Sequence, residues 1–314
     1  MNPFLSIIIP IYNEEGNIAL LLERLKSVLD STGKTYELVF VNDGSRDRSF
    51  ELIQKHAALN SSIKYINFSR NFGHQIAVSA GLDLCQGQAA VIIDADLQDP
   101  PELIQDFLRE HANGFQVVYG KRRQRKGDSL FKKLTAQWFY RILSWLTPID
   151  IPLDTGDFRL IDRKVIEALK AMPEKNKFLR GQIAWIGFRQ TYVLFDRDKR
   201  HAGITGYPFK KMLRFALDGI FSFSNVPLKL ASWAGFVFSG VAFFIMCYAL
   251  YSKFILKSVV EGWTSMILSV MFIGGIQLLC VGVIGEYIAR LMDNVRNRPL
   301  YIISDTNMAK EDQS

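Results

Sequence analysis

Cysteine is scarce in this 314-residue chain. Cys85, Cys247 and Cys280 form no Cys-x-x-Cys pair and no Cys/His cluster, which excludes a disulfide framework and a structural zinc site and fits a reducing compartment. The N-terminus lacks a basic n-region and a small-residue cleavage site. MNPFLSIIIPIYNEE runs from a short apolar stretch straight into acid, so it reads as a first strand and not as a signal peptide. No internal repeat is visible. Charge of one sign is not dominant either: 38 Lys plus Arg against 31 Asp plus Glu give a formal +7. That balance suits an anionic partner without choosing among nucleotide, phospholipid and nucleic acid. A hydrophobic share of 49% excludes a disordered or fibrous chain.

The most telling absence is local. Leu230 to Ser252 and Gly262 to Gly285 carry no charged residue, and each is long enough to cross a bilayer, which takes about 20 apolar residues. With Lys253 to Glu261 between them they read as a membrane hairpin. Lys210, Lys211, Arg214, Lys229, Arg290, Arg296 and Arg298 flank the side holding both chain ends, against Lys253 and Lys257 on the other. The positive-inside rule then puts the N-terminal domain and the C-terminus in the cytoplasm, on an integral protein of the cell (inner) membrane. Gly235 with Ser239, and Gly285 with Ala289, are small residues four apart that permit close helix contact, within the hairpin or between protomers of a homo-oligomer.

Two segments before the spans have basic, amphipathic patterning. In Asp128 to Thr147, Phe131, Leu134, Trp138, Ile142 and Trp145 recur at helical spacing beside Lys132, Lys133 and Arg141. In Phe209 to Phe223 the apolar set is interleaved with Lys210 and Arg214. Both read as interface helices or as helices packed on the domain.

The first 200 residues alternate short branched runs, SIIIPIY, ELVFVND, IKYINFS, AAVIIDAD and QVVYG, with helical stretches such as Asn17 to Leu29 and Ser49 to Leu59. Strand–helix–strand order predicts a mostly parallel α/β sheet. Ligands on such a sheet bind beyond the carboxyl ends of its strands. Those ends are acidic here: Glu14 and Glu15, Asp43, then Asp94 with Asp96. Residues i and i+2 of an extended segment share a face, so Asp94 and Asp96 suit one hard cation, Mg²⁺ or Mn²⁺, shared with a diphosphate. Capping of following helices is the plain alternative for Glu14 and Asp43. The run GKRRQRKG, residues 120–127, leaves the same edge. It suits a lipid phosphate at a membrane surface better than nucleic acid, because no reading helix or stacking motif accompanies it. The polar end, Ser304 to Ser314, reads as a disordered tail.

IIIPIYNEEGNI, VFVNDGSRDRS, NFSRNFGHQIAVSAGLD and IIDADLQDPPELI resemble, in order and spacing, the family 2 glycosyltransferases of GT-A fold. The similarity is greatest to dolichol-phosphate mannose synthases and polyprenyl-phosphate sugar transferases, especially bactoprenol glucosyl transferases with a two-span tail. The resemblance implies a GT-A, Rossmann-like catalytic domain over 1–205 that includes the interface helix at about 128–147. A juxtamembrane helix over 206–229, two spans over 230–290 and a cytoplasmic tail over 291–314 follow. It places Pro10, Tyr12, Asn13, Glu14 and Asp43 around the nucleotide, and Asp94, Ala95 and Asp96 at the diphosphate and metal, with Gln98 completing the metal shell. Lys121, Arg122, Arg159, Arg200 and Lys210 are implied to meet donor or lipid phosphates. Asp157 is implied to orient or deprotonate the acceptor. Arg70 either meets a phosphate or braces the acidic edge, and His74 reads as a packed or capping residue.

The activity implied is inverting transfer of one hexose, glucose from UDP-glucose foremost, to polyprenyl (undecaprenyl) phosphate at the cytoplasmic face. A separate flippase and a downstream glycosyltransferase would use the product. Another donor such as GDP-mannose, a processive polysaccharide synthase and a non-catalytic membrane scaffold are the competing readings. The QxxRW motif of processive enzymes is missing from the chain.

Overall fold

In the computed structural model the described residues are 3–123, 155–175, 177–196, 224, 226–255 and 262–308. They begin with an alternation: β1 (Leu5–Ile11), α1 (Ile18–Ser31), β2 (Tyr36–Asn42), α2 (Ser49–Leu59), β3 (Ile63–Phe68), α3 (His74–Leu84), β4 (Ala89–Ile92), α4 (Leu103–Ala112) and β5 (Val117–Arg122). After β6 (Thr155–Asp162) come α5 (Arg163–Lys170), α6 (Leu179–Ile186) and β7 (Gln190–Phe195). Two long helices follow, α7 (Val226–Phe254) and α8 (Trp263–Val295), and then β8 (Ile303–Thr306). All eight strands form one sheet in the order β7-β5-β6-β4-β1-β2-β3-β8.

The centre of this sheet is parallel: β1 pairs with β2 and β4, and β2 with β3. Its strands are covered on both faces, which is why they read as unbroken apolar runs instead of alternating ones. Leu5, Ile7, Ile9, Leu38 and Phe40 enter one core with α1 and α4. Ile8, Val39, Val41, Ala90 and Ile92 enter the other with α3, α5 and α6. Helix α3 lies close enough to β1 that a Cβ at Gly81 would collide with Ile8 Cγ2. A side chain there would push the helix off the sheet.

Strand order reverses between β1 and β4, since β2 and β3 lie on one side of β1 and β4 on the other. Such a switch point opens a crevice at the carboxyl ends of the two strands. Pro10 sits at its mouth. Ile93 N–H donates to Ile8 C=O (3.0 Å), so even-numbered residues of β1 face β4, and pairing with β4 stops at Ile8–Ile92. The imide nitrogen of Pro10 therefore falls where the strands have parted, and no ladder hydrogen bond is lost.

Helices α7 and α8 have 29 and 33 residues, roughly 43 and 50 Å at 1.5 Å per residue. Within them, Val226–Ile245 and Ser269–Val295 are long and apolar enough to cross a membrane. Phe238 meets Phe272 edge-on at 5.6 Å, and Tyr287 Oη donates to the Ser224 carbonyl (2.6 Å). Among the described residues a Cβ at Gly235 or Gly285 meets no atom within 4 Å, so the small-residue pairs are not where the two helices touch. The helices expected over 128–147 and 209–223 lie outside the described residues.

The C-terminal segment differs from expectation. Residues 303–306 form β8, antiparallel to β3 at the edge of the catalytic sheet. Asn307 explains how so short a strand holds: its Oδ1 accepts from Tyr65 N–H (2.7 Å) and its Nδ2 donates to Ile63 C=O (3.0 Å), so a side-chain amide extends the ladder. Tyr301 stacks on Phe68 at 5.2 Å and donates to Asp83 (3.0 Å), and Met308 is buried. The edge of β3 offers unpaired backbone groups that a polar sequence can satisfy without a long apolar run. The residues beyond Met308 lie outside the described set.

A chain ending at Pro299 should lose the burial of Tyr301 and Met308, about 2 kcal/mol. The melting temperature in detergent is then expected to fall by about 4–8 °C. An unchanged melting curve would show that β8 adds nothing to the catalytic domain.

Candidate active site

The crevice at the switch point is a cleft of about 380 Å³ lined by Pro10, Ile11, Tyr12, Glu14, Asp43, Asn71, Gly73, His74, Ala77, Asp94, Ala95 and Asp96. Seven residues expected at the nucleotide and diphosphate thus share one cavity: Pro10, Tyr12, Glu14, Asp43, Asp94, Ala95 and Asp96. Tyr12 presents an exposed ring there.

Asp43 is buried at the end of β2, and its Oδ1 accepts from Phe72 N–H (2.6 Å) while its Oδ2 accepts from Gly73 N–H (3.0 Å). It thereby fixes the loop that starts α3. Burial pushes its carboxyl pKa up, against those two N–H groups. Next to it, Gly44 has φ +68°, and a Cβ there would lie 2.7 Å from the Asn71 nitrogen. Only glycine allows this approach of the two loops. Glu14 accepts from Asn17 Nδ2 (2.5 Å) at the start of α1. Asn13 does not line the cleft; it adopts φ 56°, and its Oδ1 accepts from Arg46 N–H (2.8 Å). It ties the β1–α1 loop to the β2–α2 loop from behind.

Beyond β4 the chain turns through Leu97, buried and at φ 59°, while Gln98 N–H donates to Asp96 Oδ1 (3.1 Å). A non-glycine residue in the left-handed region is costly and marks a turn imposed by its surroundings. Gln98 itself is not among the lining residues.

Asp94 Oδ1 is buried, has no hydrogen-bond partner among the described residues and lies 3.6 Å from His74 Nε2. Burial raises its pKa, the His74 charge opposes the rise, and the charges of Asp157 and Asp96 add to it. A hard divalent cation relieves just such a group, so Asp94 and Asp96 fit one by donor chemistry. Among the described residues no cluster of three or more His, Cys, Asp or Glu could hold a metal alone. The remaining ligands must come from substrate and water, as is usual for Mg²⁺.

Behind the acidic pair stands a network that the sequence did not reveal. Asp157 on β6 accepts from Arg180 Nε (2.8 Å) at Oδ1, and from Gln75 Nε2 (3.1 Å) at Oδ2. His74 Nε2 is also 3.1 Å from that Oδ2. Burial opposes ionisation of Asp157, but the His74 hydrogen bond and the Arg180 charge prevail and hold its carboxyl far below the usual carboxylate range. Burial likewise opposes a charged His74, and its bond to Asp157 together with the Asp94 charge raises its pKa to about 9.

The basic residues are more dispersed. Arg122 lies 4.0 Å from the fully buried Asp99. Lys121 Nζ stands 4.7 Å from the centroid of the Tyr192 ring. Arg159 is buried and donates to Gly156 C=O (3.0 Å), and burial lowers its pKa to about 10. None of the three lines the cleft. Arg70 stacks over Phe72 at 4.2 Å. Arg200 and Lys210 lie outside the described residues.

The depressed pKa of Asp157 has a signed consequence. Below about pH 4 an unfolded aspartate binds a proton that the folded one refuses, so stability falls with pH in that window. In Asp157→Asn, urea midpoints measured from pH 5 to pH 3 are expected to fall less steeply than in the native chain. An equal slope would show that the carboxylate is not held ionised by its neighbours.

Residues 6–170 match the model of Glycosyl transferase family 2. The chain is 54% identical over 298 residues to the uncharacterized glycosyltransferase YkcC of Bacillus subtilis, covering 95% of this chain and 92% of that one. It is 35% identical to the SfII prophage-derived bactoprenol glucosyl transferase of Shigella flexneri, over 96% and 98% of the two chains. To a prophage bactoprenol glucosyl transferase homolog of Escherichia coli it is 37% identical, over 95% and 98%. The chain therefore belongs to glycosyl transferase family 2, and is a glycosyltransferase with the GT-A-like fold.

Proposed function

We propose that the protein transfers one hexose from a nucleotide diphosphate, UDP-glucose before others, to polyprenyl phosphate at the cytoplasmic membrane face. The product is a polyprenyl-phosphate sugar. The observation that carries this reading is the full-length similarity to bactoprenol glucosyl transferases, which takes in both the acidic cleft and the two membrane-length helices. Those helices anchor the catalytic domain beside its lipid acceptor.

In this reading Tyr12 offers a face for the base, and Glu14 and the Asp43 loop approach the ribose. Asp94 and Asp96 hold Mg²⁺ or Mn²⁺, which would neutralise the diphosphate and favour its departure. The acceptor phosphate attacks the anomeric carbon opposite the departing nucleotide, with inversion. A phosphate monoester has its second pKa near ~6, so at neutral pH it is already mostly a dianion. No strong base is needed, and Asp157, with both oxygens engaged by Arg180, His74 and Gln75, has no proton to take. Lys121 and Arg122, at the end of β5, offset the repulsion between two anionic substrates, with Arg200 and Lys210 assisting. Carrying the product across the bilayer and using it fall to other proteins.

The test is purified full-length protein in detergent with polyprenyl phosphate, Mg²⁺ or Mn²⁺, and radiolabelled UDP-glucose, GDP-mannose or UDP-N-acetylglucosamine in parallel. Label from UDP-glucose should enter the organic phase. Asp96→Asn should lower that rate at least about a hundredfold. Label from GDP-mannose alone would replace the donor, and no lipid-linked label from any donor would overturn the acceptor.

A further inference from the structure

His74 occupies a place that neither packing nor helix capping accounts for. It is the first residue of α3, yet Gly73 is the cap position and no side-chain cap hydrogen bond is made there. Its imidazole is about 43% exposed and lines the cleft. The same atom, Nε2, is 3.1 Å from Asp157 Oδ2 and 3.6 Å from Asp94 Oδ1. One ring nitrogen thus lies between two carboxylates, one from β6 and one from the turn after β4. Among the described residues Asp94 Oδ1 makes no hydrogen bond, and the imidazole is a charged neighbour of that oxygen.

The remaining contacts fix the imidazole from behind. Gln75 Nε2 donates to the same Asp157 oxygen (3.1 Å), while its Oε1 accepts from Leu179 N–H (3.3 Å) at the start of α6. Arg180, the next residue of α6, donates to the other oxygen (2.8 Å). Elements α3, β6 and α6 are therefore laced together through one carboxylate. A carboxylate with three side-chain partners on two oxygens has a fixed orientation, and so has the imidazole it binds.

We propose that His74 is a positioning residue, held by Asp157, Gln75 and Arg180, that sets the Asp94 carboxylate for a divalent cation shared with the donor diphosphate. This rests on the assignment of Asp94 and Asp96 as the cation ligands. It adds a chain of support, from Arg180 through Asp157 and His74 to Asp94, in which only the last member touches the cation. Groups that orient a metal ligand in this way typically contribute 10–100-fold to metal affinity.

The experiment is Mn²⁺ binding to the full-length protein in the presence of UDP, followed by the electron paramagnetic resonance signal of free Mn²⁺. His74→Phe keeps the ring and removes the N–H, and its Mn²⁺ affinity is expected to fall at least about tenfold. His74→Gln restores a donor and is expected to stay within about threefold of the native protein. UDP affinity without metal should be unchanged in Arg180→Gln, whose side chain is not among those lining the cleft, a result that a general loss of packing would not give. Arg180→Gln should weaken Mn²⁺ in the same direction, and His74→Phe/Arg180→Gln should be no weaker than His74→Phe alone, because both act along one chain. Should His74→Phe prove unfolded by thermal melting, His74→Gln and Arg180→Gln still decide the matter. Native Mn²⁺ affinity in a folded His74→Phe or in Arg180→Gln, or additive losses in the double variant, overturns the inference while leaving the cation site standing. No Mn²⁺ binding by the unaltered protein would instead remove the cation site and the inference together.

Discussion

Like-charge crowding at one end of the cleft is the constraint around which the other features of this site are arranged. Asp94, Asp96 and Asp157 are close enough that Asp96 and Asp157 both raise the pKa of Asp94. Carboxylates brought together in a partly dry cleft repel one another, and water cannot screen them fully. The fold resolves this asymmetrically. Asp157 receives Arg180, Gln75 and His74 and is satisfied within the protein. Asp94 keeps a buried oxygen with no hydrogen bond. One carboxylate is thus neutralised by the chain itself, and the other, with the His74 ring 3.6 Å away, keeps an oxygen that suits a cation. That division separates a supporting acid from a binding one more sharply than residue type does.

The same division governs how much could be read from sequence. Tyr12, Glu14, Asp43, Asp94 and Asp96 follow buried parallel strands whose apolar runs are unmistakable, so the topology alone carries them to one edge. Asp43 shows the limit of that reading. Its position was legible, but its work on the Phe72 and Gly73 N–H groups is a contact across about 29 residues with no local signature. Gln75 and Arg180 were silent for a similar reason. They sit on different helices, 82 and 23 residues from Asp157 in the chain respectively, and nothing in a helical pattern says which polar residue faces a neighbouring strand. Strand β6 was hidden by its own function, since Asp157 and Arg159 alternate with Phe158 and Leu160 and place charge where a core strand normally has none.

Strand β8 is a different case. A run of ISDT followed by an amide has little β-propensity, and its stability comes from the edge it meets: β3 supplies the ladder, and Asn307, Ser304 and Thr306 supply side-chain bonds to it. Its consequence is architectural. The chain leaves the catalytic sheet, runs through α7 and α8, and returns to the same sheet at the opposite edge from β7. Lys175 N–H also donates to Asn294 Oδ1 (3.0 Å) near the end of α8. The long helices are therefore fastened to the catalytic domain by more than a single covalent link. Under the proposed function that restraint helps the enzyme meet a lipid at a fixed height, because freedom of the domain about its anchor is entropy lost on each encounter.

That restraint bears on how the two substrates meet. In the proposed reaction the donor diphosphate and the acceptor phosphate are both anionic, and the carboxylates of the cleft attract neither by themselves. Arg122 is drawn toward buried Asp99 and Lys121 toward the Tyr192 ring, so the cations at the end of β5 are held beside the cleft and do not line it. Arg159, buried and donating to Gly156 C=O, braces the strand that carries Asp157. In the proposed reaction, positive charge toward the donor would come from His74, which lines the cleft, and from the cation that Asp94 and Asp96 are suited to bind. Toward the acceptor, Lys121 and Arg122 at the end of β5 would supply it. Separating the two sources keeps a single pocket from binding both anions in one place, and displacement at an anomeric carbon requires them on opposite sides of the sugar.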